Sequence, residues 1–252
     1  NLIWDKFEKD DKEYYIDYLK IFGALSGLFK DNLKGLNAKK PYLHYRNHEQ
    51  LYARIFNVED LTRKDSAFDA IAEFEDGKYG IGLKTWIHTQ DRTYQKVAEF
   101  NKLAPIEVTP FITERNPIKA ITKIAELRNK RIMLDKRLYG TDYEVYHYIT
   151  RTEGAMNIVE TNYDFIDISR LRLLSSSDKS LSFTDGTRSY KYYTSKSVLL
   201  EEFDASKDEI IVSVPIEQYD DPFELIYQIT LDNNTYVQES SASYVADSIY
   251  LP

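Results

Sequence analysis

The sequence contains no cysteine, which excludes disulfides, thiolate metal sites and cysteine nucleophiles. Nine glycines and seven prolines in 252 residues are too few for a collagen-like or linker-dominated chain. No uninterrupted apolar run approaches the roughly 18 residues of a bilayer-spanning helix, and residues 1–9 have no basic stretch leading into an apolar one. Neither a membrane span nor a signal peptide is expected, and the cytoplasm is the expected compartment. Also missing are a Walker loop, a dinucleotide fingerprint, a His-Glu-x-x-His motif, an EF-hand loop and a Ser-His-Asp arrangement. Phosphate-loop and serine-hydrolase classes therefore drop out.

What is present is a globular composition, 42% hydrophobic and 29% charged, sufficient for one large domain or two small ones. The net charge of -8 hides an asymmetry. Residues 201–252 hold twelve acidic side chains and one basic one, Lys207, whereas residues 115–137 hold eight Lys/Arg against Glu126 and Asp135. The basic segment reads as a phosphate-facing surface or as a solvated helix face. The acidic segment is expected to face away from a polyanion or to form a subunit contact.

Apolar spacing of three and four predicts a long helix over residues 7–30, through Tyr15, Leu19, Phe22, Leu25 and Phe29. A shorter helix is predicted over 47–56, with Glu49 in its first turn, and another over 91–103 through Tyr94, Val97 and Phe100. Asn116-Pro117, a cap followed by a first-turn proline, opens a helix that stops before Gly140 and carries the basic cluster. Beyond residue 140, strands are expected at 143–150, 165–174, 188–194, 210–214 and 225–231. The expectation is an α+β chain with a helix-rich part over 1–140 and a β-rich part over 141–252, joined at a soft boundary.

Residues 66–86 read as two strands around Asp76-Gly77, a dipeptide suited to a two-residue hairpin turn. With that turn, Glu75 faces Lys78 and Asp69 falls opposite Lys84. Alternation puts Asp69, Ile71 and Glu73 on one face with Gly80, Gly82, Lys84 and Trp86, and Ala70, Ala72, Phe74, Tyr79, Ile81 and Leu83 on the other. One face is a core surface. The other holds a carboxylate, an ammonium and two glycines that leave space for a ligand or a phosphate.

The string Phe68-Asp69-Ala70, followed by Gly80-Ile81-Gly82-Leu83-Lys84-Thr85-Trp86 and preceded by a helix bearing Glu49, resembles the catalytic hairpin of the PD-(D/E)XK nuclease superfamily, in particular type II restriction endonucleases. The resemblance covers roughly residues 44–103. It implies a restriction-endonuclease-like core with a mixed sheet flanked by helices, and a Mg²⁺-dependent endodeoxyribonuclease acting on double-stranded DNA. It further implies Asp69 as a metal ligand, Lys84 as the residue that orients the attacking water or stabilises phosphate charge, Glu49 as a supporting carboxylate, and the Leu83 carbonyl as a further ligand. The sequence departs from the family at Gly82, where Asp or Glu is expected. Glu49, Glu73, Gln95 and Glu99 are candidates for the missing charge, with Glu49 favoured.

DNA contacts are expected from Lys119 and Lys123 in the basic segment and from Arg170, Arg172, Arg188, Lys191 and Lys196 in the β-rich half, where aromatics alternate with basic residues. A homodimer would match a palindromic site. Two other readings remain open from the residues. Asp69 and Lys84 also fit an ordinary cross-strand ion pair in a non-catalytic nucleic-acid-binding module, and the tyrosine-rich strands fit a β-rich structural or interaction protein. The three histidines near the hairpin, His44, His48 and His88, lack a metal-ligand spacing.

Overall fold

A computed structural model describes residues 3–29, 39–219 and 221–240, with Phe29 and residues 232–240 described by backbone alone. Its helices are α1 (Lys9–Ala24), α2 (Tyr45–Ile55), α3 (Ala104–Glu107), α4 (Thr109–Thr113), α5 (Pro117–Tyr139) and α6 (Pro222–Ser240). Its strands are β1 (Glu59–Asp60), β2 (Ala70–Phe74), β3 (Gly77–Ile87), β4 (Arg92–Glu99), β5 (Tyr143–Thr152), β6 (Ala155–Asn162), β7 (Arg172–Ser176), β8 (Ser180–Thr184), β9 (Ser189–Tyr193), β10 (Val198–Asp204) and β11 (Ile210–Pro215).

The fold is α+β. A six-stranded sheet runs β1-β2-β3-β5-β6-β11, mixed because β3 and β5 pair in parallel, and a five-stranded antiparallel sheet runs β4-β10-β9-β8-β7. One face of the mixed sheet buries Ala70, Ala72, Tyr79, Ile81, Leu83, Val145 and Ile149 against Tyr15 and Leu19 of α1 and Leu51 and Tyr52 of α2. The other face carries Ile71, Trp86, Tyr146, Tyr148 and Val159, which pack with Ile132 of α5 and Phe203 of β10. Helix α5 also covers the inner face of the antiparallel sheet through Ala120, Ile121, Ile124 and Ala125. Strands from before and after residue 140 share both sheets, since β5, β6 and β11 extend the sheet begun by β1 to β3, and β4 joins β7 to β10.

The capping residues act as their chemistry dictates. Asn116 accepts a hydrogen bond from the Lys119 amide at the start of α5, and Gly140 ends the helix in the left-handed region at φ 65°. Three expectations are corrected. Residues 91–103 hold strand β4 rather than a helix; β4 pairs with β10 from Arg92 opposite Asp204 to Glu99 opposite Val198, with a register shift between Lys96 and Ala98, and this pairing overrides the three-residue spacing of Tyr94, Val97 and Phe100. Residues 225–231 lie in α6 rather than a strand. Asp221 accepts from the amides of Phe223 and Glu224, and Pro222 fills the first turn, so a cap outweighs the β-formers Ile226 and Tyr227. Residues 165–174 are not one strand, because the Asp167 carboxylate takes the Ser169 amide and closes a 3₁₀ turn at Ile168–Arg170 before β7 starts. Among the described residues, no helix is long and apolar enough to cross a membrane.

Candidate active site

The two-residue turn between β2 and β3 sits one residue earlier than the sequence predicts. Phe74 faces Gly77, Glu73 faces Lys78 and Ala70 faces Ile81, leaving Glu75 and Asp76 as the turn. Gly77 has φ 141°, a conformation that favours glycine, and the Asp142 carboxylate accepts from the Lys78 amide beside it. The register therefore differs by two residues, and Asp69 lies against Gly82 rather than opposite Lys84. An even shift keeps every side chain on its expected face.

Asp69 stands where the β2–β3 ladder ends. Its amide still donates to the Ile81 carbonyl at 2.8 Å, but the chain before it turns away, and its carboxylate accepts from the Leu83 amide at 2.7 Å. The carboxylate thus takes the position a further strand carbonyl would have held. The N–H and C=O of one residue leave an extended strand on the same side, so the Leu83 carbonyl faces the same gap.

Glu49, Asp69, Leu83 and Lys84 line one cleft of about 750 Å³, together with Gln95, Lys96 and Glu99 of β4 and Tyr146 of β5. Glu49 projects from the second turn of α2, since the helix begins at Tyr45. Its carboxyl is pushed up to about 7, chiefly by burial and further by the Asp69 carboxylate, with Arg46 opposing. Burial also raises the Asp69 carboxyl, against the Leu83 amide and the Lys84 ammonium. Burial lowers the Lys84 ammonium, against Asp69 and Glu201. Lys84 donates to the Lys96 carbonyl at 2.7 Å and lies 5.5 Å from the Tyr146 ring centroid. Of the alternative carboxylates, Glu73 lines a separate cleft with Lys78, and Glu99 is engaged by Lys96 and Asn101. Gln95 faces the cleft from a strand rather than from the helix expected there.

The two glycines make room for aromatic rings rather than for a ligand. A Cβ on Gly80 would stand 2.9 Å from the Phe68 ring, and one on Gly82 would stand 2.6 Å from the Tyr146 ring and 3.2 Å from Tyr163. Tyr146 is stacked on Tyr163 at 3.9 Å between centroids and meets Phe203 edge-on at 4.9 Å, so it cannot yield easily. Glycine at position 82 follows from this packing, because any side chain there displaces a stacked ring.

Beneath the cleft lies a buried ion network that no local sequence signal announces. Arg128 of α5 pairs with Glu201 of β10 at 2.9 Å and donates to the Asp164 carbonyl, and Arg188 reaches the other Glu201 oxygen at 3.1 Å. Arg128 and Glu201 lie 73 residues apart in sequence, a separation only tertiary structure closes. Arg188 further donates to Thr161 and to the Asn162 carbonyl, so it is turned into the protein. A second buried chain runs His48–Tyr15–His147–Glu160, with successive distances of 2.8, 3.1 and 2.9 Å, and Glu160 also accepts from the amides of Ile3 and Trp4. Burial pushes His48 well below the usual histidine range, and the chain lies on the helix-covered face of the sheet. His44 precedes the first residue of α2, and His88 stands 3.6 Å from Asp91.

The remaining basic candidates are scattered. Lys119 is exposed over the Phe111 ring, Lys123 pairs with Glu126 at 2.8 Å, and Arg131 and Lys136 of the same helix pair with Asp65 and Glu144. Arg170 ends the 3₁₀ turn beside Gly186, and Arg172 is exposed at the start of β7, so the two do not alternate on one strand. Lys191 sits 5.1 Å from the Tyr193 ring centroid, and Lys196 is exposed in the turn before β10. Among the described residues, no group of three or more His, Asp or Glu side chains is placed to hold a metal ion. Compared with models of protein families, with curated proteins and with solved structures, the chain matches none.

Proposed function

We propose that the protein is a Mg²⁺-dependent endodeoxyribonuclease of the type II restriction-enzyme kind, hydrolysing a phosphodiester of double-stranded DNA on a restriction-endonuclease-like core formed by α2 and the mixed sheet. The observation that carries this reading is the convergence of Glu49, Asp69 and Lys84, from three different elements, on one cleft beside the freed edge of Leu83. Two half-buried carboxylates whose proton affinity is raised by burial, that of Glu49 further by the Asp69 carboxylate, are a place where a cation replaces a proton. The donor set suits a hard cation that takes one or two carboxylates and fills the rest with water and phosphate oxygen. Asp69, Glu49 and the Leu83 carbonyl would hold it, and bound Mg²⁺ would neutralise the phosphate and acidify a water.

The rest is the work of this chain's own groups. The Leu83 amide fixes the Asp69 carboxylate, leaving its second oxygen for the cleft. Lys84 places a partly desolvated ammonium where it orients a water or meets charge developing on the phosphate. Its partner in the absence of substrate is the Lys96 carbonyl, a neutral acceptor that a phosphate oxygen would outcompete. The shortage of acidic groups favours one competing reading, a binding module that grips DNA without cutting it.

The deciding experiment incubates the protein with unmethylated phage DNA, with and without Mg²⁺, beside Asp69→Ala, Lys84→Ala and Glu49→Gln variants checked for folding. Discrete fragments that require Mg²⁺ and vanish in the first two variants are expected. Intact DNA across several substrates, with Mn²⁺ as well, replaces the nuclease by the binding module.

A further inference from the structure

The antiparallel sheet has one face packed on α5 and one open to solvent. Along β10, Leu199, Glu201 and Phe203 are buried while Val198, Leu200 and Glu202 are half-exposed, and the same alternation holds in β8 and β9. Strand pairing lines the outward residues into rows. Glu99, Val198, Tyr193 and Ser180 cross four strands in one row, and Lys96, Leu200, Lys191 and Ser182 form the next. This open face is continuous with the cleft. A depression of about 580 Å³ lined by Tyr193, Lys196, Val198 and Leu200 shares Lys96, Glu99 and Asn101 with the cleft wall, so β4 is the lip between them.

Charge along the face is graded. The end at Tyr193 carries Lys96, Lys191 and Lys196; Glu99 there is already held by Lys96 and Asn101, and the adjacent turn adds one charge of each sign, Asp178 and Lys179. The opposite end carries Glu202 and Asp204, with Arg92 bound to Asp204. A polyanion leaving the cleft is therefore drawn toward Tyr193 and repelled from Glu202. Tyr193 is 38% exposed beside Val198 and Leu200, with the Lys191 ammonium 5.1 Å from its ring centroid.

We propose that this face binds an unpaired DNA segment continuing from the strand in the cleft, with a base stacked on Tyr193 and its phosphates met by Lys191 and Lys196. The ligand is unpaired because the bases inside a duplex are already stacked on both sides, whereas a single strand offers its bases to an aromatic ring. The proposal rests on the nuclease reading for the direction of the strand, and not for its affinity. The substrate it defines is a duplex with single-stranded character next to the cut.

The test is fluorescence anisotropy at low salt in EDTA, with a short labelled oligothymidylate and a blunt duplex of the same length as probes. The single strand is expected to bind more tightly than the duplex. Tyr193→Ala should weaken it about tenfold while Tyr193→Phe binds as wild type. Lys191→Ala with Lys196→Ala should lower the slope of log affinity against log salt by roughly 1.4. All three positions are on the surface, and circular dichroism verifies each fold. Equal affinity for both probes, or single-strand binding indifferent to these substitutions, overturns the proposal. The two readings fail separately. Tyr193-dependent binding without cleavage removes the nuclease and keeps the face, whereas Asp69-dependent cleavage with binding indifferent to Tyr193 removes the face and keeps the nuclease.

Discussion

Glu49 offers a prediction whose sign and size both follow from the structure. An unfolded glutamate titrates near 4.3, at about the usual value, whereas burial beside Asp69 places Glu49 at about 7. A carboxyl raised on folding binds its proton more tightly in the folded state, so in the absence of a cation this group removes stability as the pH rises between those two values. A cation in the cleft reverses the preference by taking the proton's place, and its affinity scales with the ionised fraction of Glu49. That fraction is about a tenth at pH 6 and about nine tenths at pH 8, so Mn²⁺ or Mg²⁺ affinity should rise about tenfold over this window. In Glu49→Gln the increment should disappear, while the titrations of Asp69 and Lys84 occur in both proteins and cancel in the comparison. Isothermal titration calorimetry of the protein without DNA, at pH 6, 7 and 8, reads this directly, and proton release per cation should track it. A wild type whose affinity is flat over the window, or a Gln variant that rises as steeply, would refute Glu49 as a cation ligand.

Two further predictions concern the packing under the site. Gly82→Ala forces a Cβ to 2.6 Å from the Tyr146 ring, an overpacking expected to cost about 1–3 kcal/mol in urea unfolding; an unchanged midpoint would mean that the ring pair moves freely. Glu201→Gln leaves Arg128, which is only 2% exposed, without its counter-charge and Arg188 with the Asp164 carboxylate alone, and should cost about 3–5 kcal/mol. A loss below about 1 kcal/mol would show that the Asp164 carbonyl and Asp164 carboxylate suffice to hold the two guanidinium groups.

The parts of the fold that could be read in advance are those set by neighbouring residues. Asn116, Pro117 and Gly140 bound α5 because capping and the left-handed turn are local chemistry. The alternation from Ala70 to Leu83 put the right side chains on the core face even though the register was displaced, since a shift of two residues preserves sidedness. Residues 91–103 and 225–231 went the other way. In the first, a three-residue aromatic spacing imitated a helix; in the second, Leu225, Ile226 and Tyr227 imitated a strand, although Asp221 and Pro222 were a legible start signal.

The site divides along the same line. Local pattern alone placed Asp69 and Lys84 on one sheet face and Glu49 on a helix shortly before them. Periodicity and turn chemistry act over a few residues and need no knowledge of the rest of the chain. Only the tertiary structure decided that the Asp69 carboxylate takes the Leu83 amide, that Glu49 enters the same cleft, and that Tyr146 and Tyr163 occupy the space beside Gly82. It also decided that Arg188 turns inward to Glu201 while Lys191 and Lys196 stay outside. Those outcomes depend on which distant segment packs against which. Burial, which displaces the proton affinities of Glu49, Asp69 and Lys84, is a property of that packing and of no single stretch of sequence.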